Sequence, residues 1–338
     1  MASPPARARL MDVAAHAGVS TATASLVLRG RPGPSAETRE AVLQASQSLG
    51  YRPDRTASLL ARRRTHLLGL TVEVSNPFHG ELLEDLQVAA EKAGYDVVVS
   101  PLTRHRGERR AVEALLDSRC EAVLLLGPSL PANALEAIAA VVPVVAVGRR
   151  VRAEGVDLVR AADDRGMALA VQHLVGLGHR EIAFADGPPG SIATLRRQGY
   201  RRAMRDLGCS SGIRVVAGGD TEEGGAAATA ALVATPPTAV IAFNDRSALG
   251  VLDHLRRSDL QVPADVSVVG YDDSPVARLA TIDLTSVSQA PGAMADAAVD
   301  VVVDRLESGR TAAVEVVIEP HLVRRGTTAP PRSAPSRP

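Results

Sequence analysis

Residues 10–30 read LMDVAAHAGVSTATASLVLRG, and the character of the N-terminal end turns on them. Leu10, Val13, Ala14 and Ala17 recur at helical spacing until Gly18 breaks the run. A second short helix opens at Ser20, whose hydroxyl can accept from an N–H two or three residues on. Val19 is apolar where a loop is usually polar, which implies a packed turn. Two short helices, a Gly-containing turn and a buried turn residue describe a helix-turn-helix. A third amphipathic helix follows in residues 35–51, SAETREAVLQASQSLGY, with Ser35 as N-cap and Gly50 as the stop.

The surrounding charge fits that reading. The 338 residues carry 38 basic and 38 acidic side chains, a formal net charge of zero, but the distribution is uneven. Residues 1–65 hold ten arginines (Arg7, Arg9, Arg29, Arg31, Arg39, Arg52, Arg55, Arg62, Arg63, Arg64) against Asp12, Glu37, Glu40 and Asp54. The surplus of positive charge points to a polyanion partner; a solvated basic tail is the alternative, and the helix pattern decides between them.

Composition bounds the remainder. Hydrophobic residues make up 46% and aromatics 2%, with no Trp, so the core is built from Val, Leu, Ile and Ala, as in packed parallel strands and helices. Cys120 and Cys209 lie too far apart for a metal or disulfide framework and read as packed thiols in a reducing compartment. No apolar segment follows the first residues, and no run approaches the roughly 18 residues of a membrane span, so a cytoplasmic protein is expected. No cofactor and no metal site is expected either. An enzyme is disfavoured because GxxxxGK[ST], GxSxG and HExxH are all missing.

From His66 the pattern changes to short apolar runs alternating with helical stretches. Strands are predicted at residues 67–74, 95–99, 122–126, 144–147, 182–185, 215–216, 239–243 and 266–271. Helices are predicted between them at 81–92, 109–116, 165–177, 196–207 and 247–255. Alternating βα units give parallel sheets with both faces covered. Two such blocks, parting near Asp163-Asp164, fit two similar lobes, and a late strand at 314–318 returns to the first.

The chain resembles the LacI/GalR family of bacterial regulators. The motifs that carry the resemblance are Asp12-Val13-Ala14, Ala17-Gly18-Val19-Ser20, Thr23, Ser25, Ser35, Thr38-Arg39, Val42, Leu49-Gly50-Tyr51, Pro53 and Ala57. It continues through Asn76-Pro77-Phe78, Pro143-Val144-Val145, Leu177-Gly178-His179-Arg180, Asn244-Asp245, residues 267–273 (SVVGYDD) and Gln289, and so covers nearly the whole chain. The implied fold is an all-α helix-turn-helix head followed by an α/β two-lobed, periplasmic-binding-protein-like (type I) domain with parallel sheets. The expected divisions are a head at 1–52, a hinge at 53–65 and an effector domain at 66–328. Lobe 1 would take about 66–163 plus about 290–320, lobe 2 about 164–289, and 329–338 would be a disordered tail.

The resemblance implies a repressor that binds approximately palindromic operator DNA as a homodimer. Its second helix would enter the major groove with Thr21, Ala22 and Leu26 facing base edges, while Ser20, Thr23, Ser25 and Tyr51 contact phosphates. Arg29 and Arg55 join them as DNA contacts. Leu26 departs from the family, where many members carry an Arg; a Leu offers only apolar contact, for instance to a thymine methyl. Arg9 stands where relatives have a Thr cap. In the hinge, Ala57 and Leu60 are the small and apolar positions, and Leu60 reads either as a minor-groove wedge or as helix filler.

The same resemblance implies a small-molecule, sugar-like effector held between the lobes by Phe78, His79, Arg196, Asn244 and Asp272. Ligands in open α/β sheets bind beyond the carboxyl ends of strands; Phe78, His79, Asn244 and Asp272 each follow a predicted strand, and Arg196 opens a helix. Other roles stay open: Phe78 as core, His79 as a solvated loop residue, Asn244 as a helix cap, and one of Asp272 and Asp273 as a cap of the next segment. A transport binding protein shares the lobes, but the basic head and the missing signal segment argue against it.

Overall fold

The computed structural model describes residues 8–28, 30–51 and 64–332, and the chain divides into two compact units, Met1–Thr65 and His66–Pro338. In the first unit, α1 (Leu10–His16), α2 (Thr21–Leu28) and α3 (Ala36–Ser48) enclose Val13, Ala14, Ala24, Val27, Val42 and Ala45. Val19 packs on this small core from the turn, as its apolar character requires. Ser35 caps α3 by accepting from the Thr38 N–H at 3.2 Å, and Gly50 ends it at φ 58°, a conformation glycine adopts without cost.

The second unit contains two six-stranded sheets. The first runs β11-β5-β4-β3-β1-β2, entirely parallel, from β1 (Leu67–Glu73), β2 (Asp96–Leu102), β3 (Ala122–Leu126), β4 (Val144–Val147), β5 (Val156–Ala161) and β11 (Glu315–Ile318). The second runs β12-β10-β9-β8-β6-β7, from β6 (Ile182–Asp186), β7 (Ile213–Ala217), β8 (Ala239–Ala242), β9 (Ser267–Asp272), β10 (Thr285–Ser288) and β12 (His321–Val323). Only β12 is antiparallel to its neighbour. Strands such as AVLLL in β3 and AVIA in β8 are buried at every position, which follows from helices covering both faces. Each sheet accordingly has a separate apolar cluster on either side.

Helices α4 (Pro77–Lys92), α5 (Glu108–Asp117), α6 (Ala132–Ala139) and α11 (Pro291–Ser308) cover the first sheet. Helices α7 (Asp163–Gly176), α8 (Ser191–Asp206), α9 (Glu222–Ala230) and α10 (Asp245–Arg257) cover the second. The chain thus passes between lobes after β5, after β10 and after β11. The last passage carries residues from 321 onward, which the expected division assigned to neither lobe, into lobe 2. The ordered chain also runs further than a tail beginning at 329 would allow. The Ala329 N–H donates to Ser267 Oγ at 3.1 Å and its carbonyl lies 2.9 Å from His179 Nε2, so two buried polar side chains hold this backbone.

Candidate functional site

In the helical unit, α2 buries Ala24 and Val27 and leaves Thr21, Ala22 and Leu26 on the opposite side, with Leu26 43% exposed. Ala22 and Leu26 are one helical turn apart and form one face. Ser20 is the cap of α2: its Oγ accepts from the Thr23 N–H at 3.1 Å and lies 2.9 Å from Thr23 Oγ1. Thr23 and Ser25 are half-buried at the margins of that face, and Tyr51 is half-buried against the small head core. Arg29, Arg55, Ala57 and Leu60 lie outside the described residues. The structure also accounts for Arg9, where a cap side chain is missing. Asp12, one turn inside α1, accepts from the Arg9 N–H at 2.7 Å and supplies the returning half of a capping box.

In the second unit, both sheets reverse strand order at their first strand, with β1 between β2 and β3 and β6 between β7 and β8. A crevice opens at the carboxyl ends beside such a reversal. The cleft there is lined from lobe 1 by residues including Phe78, His79 and Arg149, and from lobe 2 by Arg196, Asp220, Phe243, Asn244, Asp272 and Gln289. Its volume is about 110 Å³, room for a few waters at ~30 Å³ each. A ligand pocket usually spans ~300–1,000 Å³, so the cleft as it stands is smaller than that range.

Arg196 is the organising residue, though it does not open its helix as expected. The helix begins five residues earlier, after Pro188-Pro189-Gly190, which puts Arg196 in the second turn of α8. Its Nε donates to Asp163 Oδ1 at 2.8 Å, its Nη1 to the Phe243 carbonyl, and its Nη2 lies 3.7 Å from Asp272 Oδ1. The guanidinium lies between two rings, 3.5 Å from the Tyr271 centroid and 4.8 Å from that of Phe243. Glycines make room for both rings. A Cβ on Gly166 would stand 2.2 Å from Tyr271 Oη, and one on Gly187 would stand 2.4 Å from the Phe243 ring. Burial works against the Arg196 charge, but Asp163, Tyr271 and Asp272 outweigh it and its pKa rises.

The neighbouring side chains show where each of these residues sits. Asp272 faces the cleft and accepts from Gln289 Nε2 at 2.7 Å, whereas Asp273 turns away to Arg325 at 2.7 Å and Arg278 at 3.5 Å. Both aspartates have positive φ, 108° and 54°, a strained bend that divides the pair between the two environments. Burial pushes the Asp272 carboxyl up, and Arg196 opposes that shift. Asn244 both lines the cleft and caps α10, accepting from the Ser247 N–H at 2.8 Å and donating to the Asp220 carbonyl at 3.0 Å. Phe78 is at once core and cleft wall. His79 is buried rather than solvated, with Nδ1 accepting from the Glu73 N–H at 3.2 Å. Its pKa falls to about 4, through burial first and the nearby Arg149 second.

Two sequence patterns match known ones. That of the bacterial regulatory proteins of the lacI family matches residues 9–54, and that of the periplasmic binding protein-like domain matches residues 171–328. The HTH-type transcriptional regulator MalR of Streptomyces coelicolor is 36% identical over 343 residues, covering 95% of this chain and 96% of its own. The chain belongs to the LacI family. Among solved LacI-family structures, the lac repressor dimer bound to operator is 29% identical, with TM-score 0.82 over 96% of this chain and 100% of its own. The complex of transcriptional regulator CelR with cellobiose is 34% identical, with TM-score 0.69 over 95% and 100%. Within this LacI-family chain, Arg149, Asp220, Phe243 and Gln289 line the cleft without having been expected there. Arg149 and Asp220 each follow the end of a strand, and that position was the signal available for finding them.

Proposed function

We propose that the protein is a transcriptional repressor whose grip on operator DNA is set by a small, hydroxyl-rich effector bound between its lobes. The observation that carries this reading is the exposed α2 face, Thr21, Ala22 and Leu26, on a folded three-helix unit with a surplus of arginine. Two short side chains and a Leu give little hydrogen-bonding to bases, so phosphate contacts supply most of the affinity. Membership of the LacI family and the operator-bound relative support the reading, as does the cellobiose complex. A homodimer working in the cytoplasm is part of it, and no described helix is long and apolar enough to cross a membrane. In the cleft, Arg196, Asn244, Asp272 and Gln289 offer the mixed donors and acceptors that hydroxyl groups require.

The test is operator binding by the full chain against salt. Each neutralised phosphate adds about −0.9 to the log–log slope, so six or more contacts per dimer give a slope near or beyond −5 on a roughly palindromic site. A slope near zero, or a footprint on a non-symmetric site, would refute the reading. Leu60 as a minor-groove wedge is checked alongside: Leu60→Ala should weaken operator binding and bending while effector affinity without DNA is unchanged.

A further inference from the structure

The cations in the cleft are not equivalent. Arg196 is neutralised, with Asp163 and Asp272 beside it and its donors already directed at protein acceptors. Arg149, contributed by the loop after β4, lies within ion-pair distance of no carboxylate among the described residues. Its Nη1 makes one long contact to the Pro128 carbonyl at 3.3 Å, and its Nε is buried without a hydrogen-bond partner. A buried donor left in this state costs free energy until something occupies it.

A second unoccupied donor lines the same cleft. His79 is 8% exposed, and its Nδ1 is taken by the Glu73 N–H, which places the ring proton on Nε2. Nε2 has no hydrogen-bond partner among the described residues, and it lies beside Gly127, where an added Cβ would stand 3.6 Å away. Burial and Arg149 keep the ring neutral, so Nε2 can only donate. Facing these from lobe 2 is the start of the 16-residue α8, capped by no side chain and without an acidic residue in its first turn. Gly190, Ile192 and Ala193 from this helix start line the cleft, and the first N–H groups of a helix lack partners within it. The other two lining carboxylates, Glu73 and Asp220, belong to exposed residues, and Glu73 already accepts from Ser75 Oγ at 3.0 Å.

We propose that Arg149, His79 and the N-terminus of α8 form an oxyanion subsite, so that the effector is a polyol carrying a phosphate or carboxylate group rather than a neutral sugar. This deepens the proposed function and rests on it. The cleft then divides by chemistry. Around Arg196 and Asp272, donors and acceptors are mixed and suit hydroxyl groups. Around Arg149 every free group is a donor, and only an acceptor-rich anion satisfies all of them without stranding a proton.

The experiment uses the full chain and three probes of matched carbon skeleton: glucose 6-phosphate, gluconate and glucose, with inorganic phosphate as the minimal anion. Titration calorimetry gives affinity, and the His79 imidazole resonances report occupancy of the cleft itself, separating it from anion binding to the basic N-terminal segment. At least one anionic sugar should bind tenfold or more tightly than glucose, and inorganic phosphate should shift the His79 resonances saturably. The phosphate arm against the carboxylate arm identifies which group the subsite takes. Arg149→Gln should abolish the anion preference, while Arg149→Lys keeps part of it, which a loss of folding would not do. Glucose binding as tightly as both anionic sugars, a preference surviving in Arg149→Gln, or His79 resonances unmoved by phosphate would each overturn the subsite. Operator binding by the wild type, measured in parallel, separates the two readings: intact operator binding beside a failed anion test removes only the subsite.

Discussion

Replacing Arg196 with methionine should strand Asp163, and the structure sets the size of the effect. That carboxylate is 2% exposed and accepts from Arg196 Nε at 2.8 Å. Burial pushes the Asp163 carboxyl up, and Arg196 is the main influence holding it down. Removing one partner of a buried ion pair costs about 3–5 kcal/mol. The carboxyl can escape that cost by taking a proton. From its ordinary value of 3.8, protonation at pH 7 costs about 4.4 kcal/mol at ~1.36 kcal/mol per pH unit, which agrees with the first figure. The escape becomes cheaper in acid. A carboxyl neutral in the fold and ionised in the unfolded chain stabilises below its unfolded pKa, and that contribution is lost as pH rises. The destabilisation by Arg196→Met should therefore shrink by about 1.4 kcal/mol per pH unit, to about 1.6 kcal/mol at pH 5. Adding Asp163→Asn should recover most of the loss at pH 7. Urea denaturation at pH 5, 6 and 7, followed by far-UV circular dichroism at fixed protein concentration, measures all three chains. An equal loss at pH 5 and pH 7, or a double variant no more stable than the single one, would refute the argument.

Other outcomes follow from other residues. Folded His79 refuses a proton down to about pH 4 where the unfolded chain accepts one near 6.5, so stability is lost as pH falls through that window, by up to about 3 kcal/mol. His79→Gln should flatten that part of the stability curve, and unchanged slopes in urea titrations would contradict it. Gly187→Ala should cost about 1–3 kcal/mol by driving a methyl into the Phe243 ring; an unchanged Tm would show that the ring has room. Leu26→Arg should favour guanine by about 1–3 kcal/mol at one position per half-site, and a binding-site selection returning the wild-type site would place Leu26 off the bases.

Much of this fold is legible in the sequence because parallel strands buried on both faces leave continuous apolar runs, as in Ala122–Leu126 and Ala239–Ala242. What escapes is structure held by polar atoms or backbone. Strand β10, TSVS, has no hydrophobic signature, yet Thr285 and Ser286 are wholly buried because Thr327 and Asp245 satisfy them. Helix α9 begins EEGG and is missing from the expected helices, but Thr221 caps it, and a Cβ at Gly225 would stand 1.9 Å from the Ser247 carbonyl oxygen. The cleft divides in the same way. Arg196, Asn244 and Asp272 stand out by residue type and neighbouring motif, but only the topology brings Asp163, Phe243 and Tyr271 around Arg196. Arg149 is one arginine among many until its missing partner can be seen.

The three passages of the chain between lobes bear on how the protein is made. Strand β5 is complete at Ala161, but its outer neighbour β11 begins only at Glu315. Helix α11, which covers the Leu82 and Leu86 side of the first sheet, also emerges late, at Pro291–Ser308. At a synthesis rate of ~5–20 residues per second, β5 waits on the order of 10–30 s on the ribosome with one edge unpaired and one face only partly covered, by α4 alone. Lobe 2, made in the interval, cannot finish either until residues 321–323 pair with β10. Neither lobe is a contiguous stretch of chain, so both close almost together once residues 315–323 have been made. A chaperone that shields nascent chains should affect the yield of this protein more than it would that of a chain with two sequential domains.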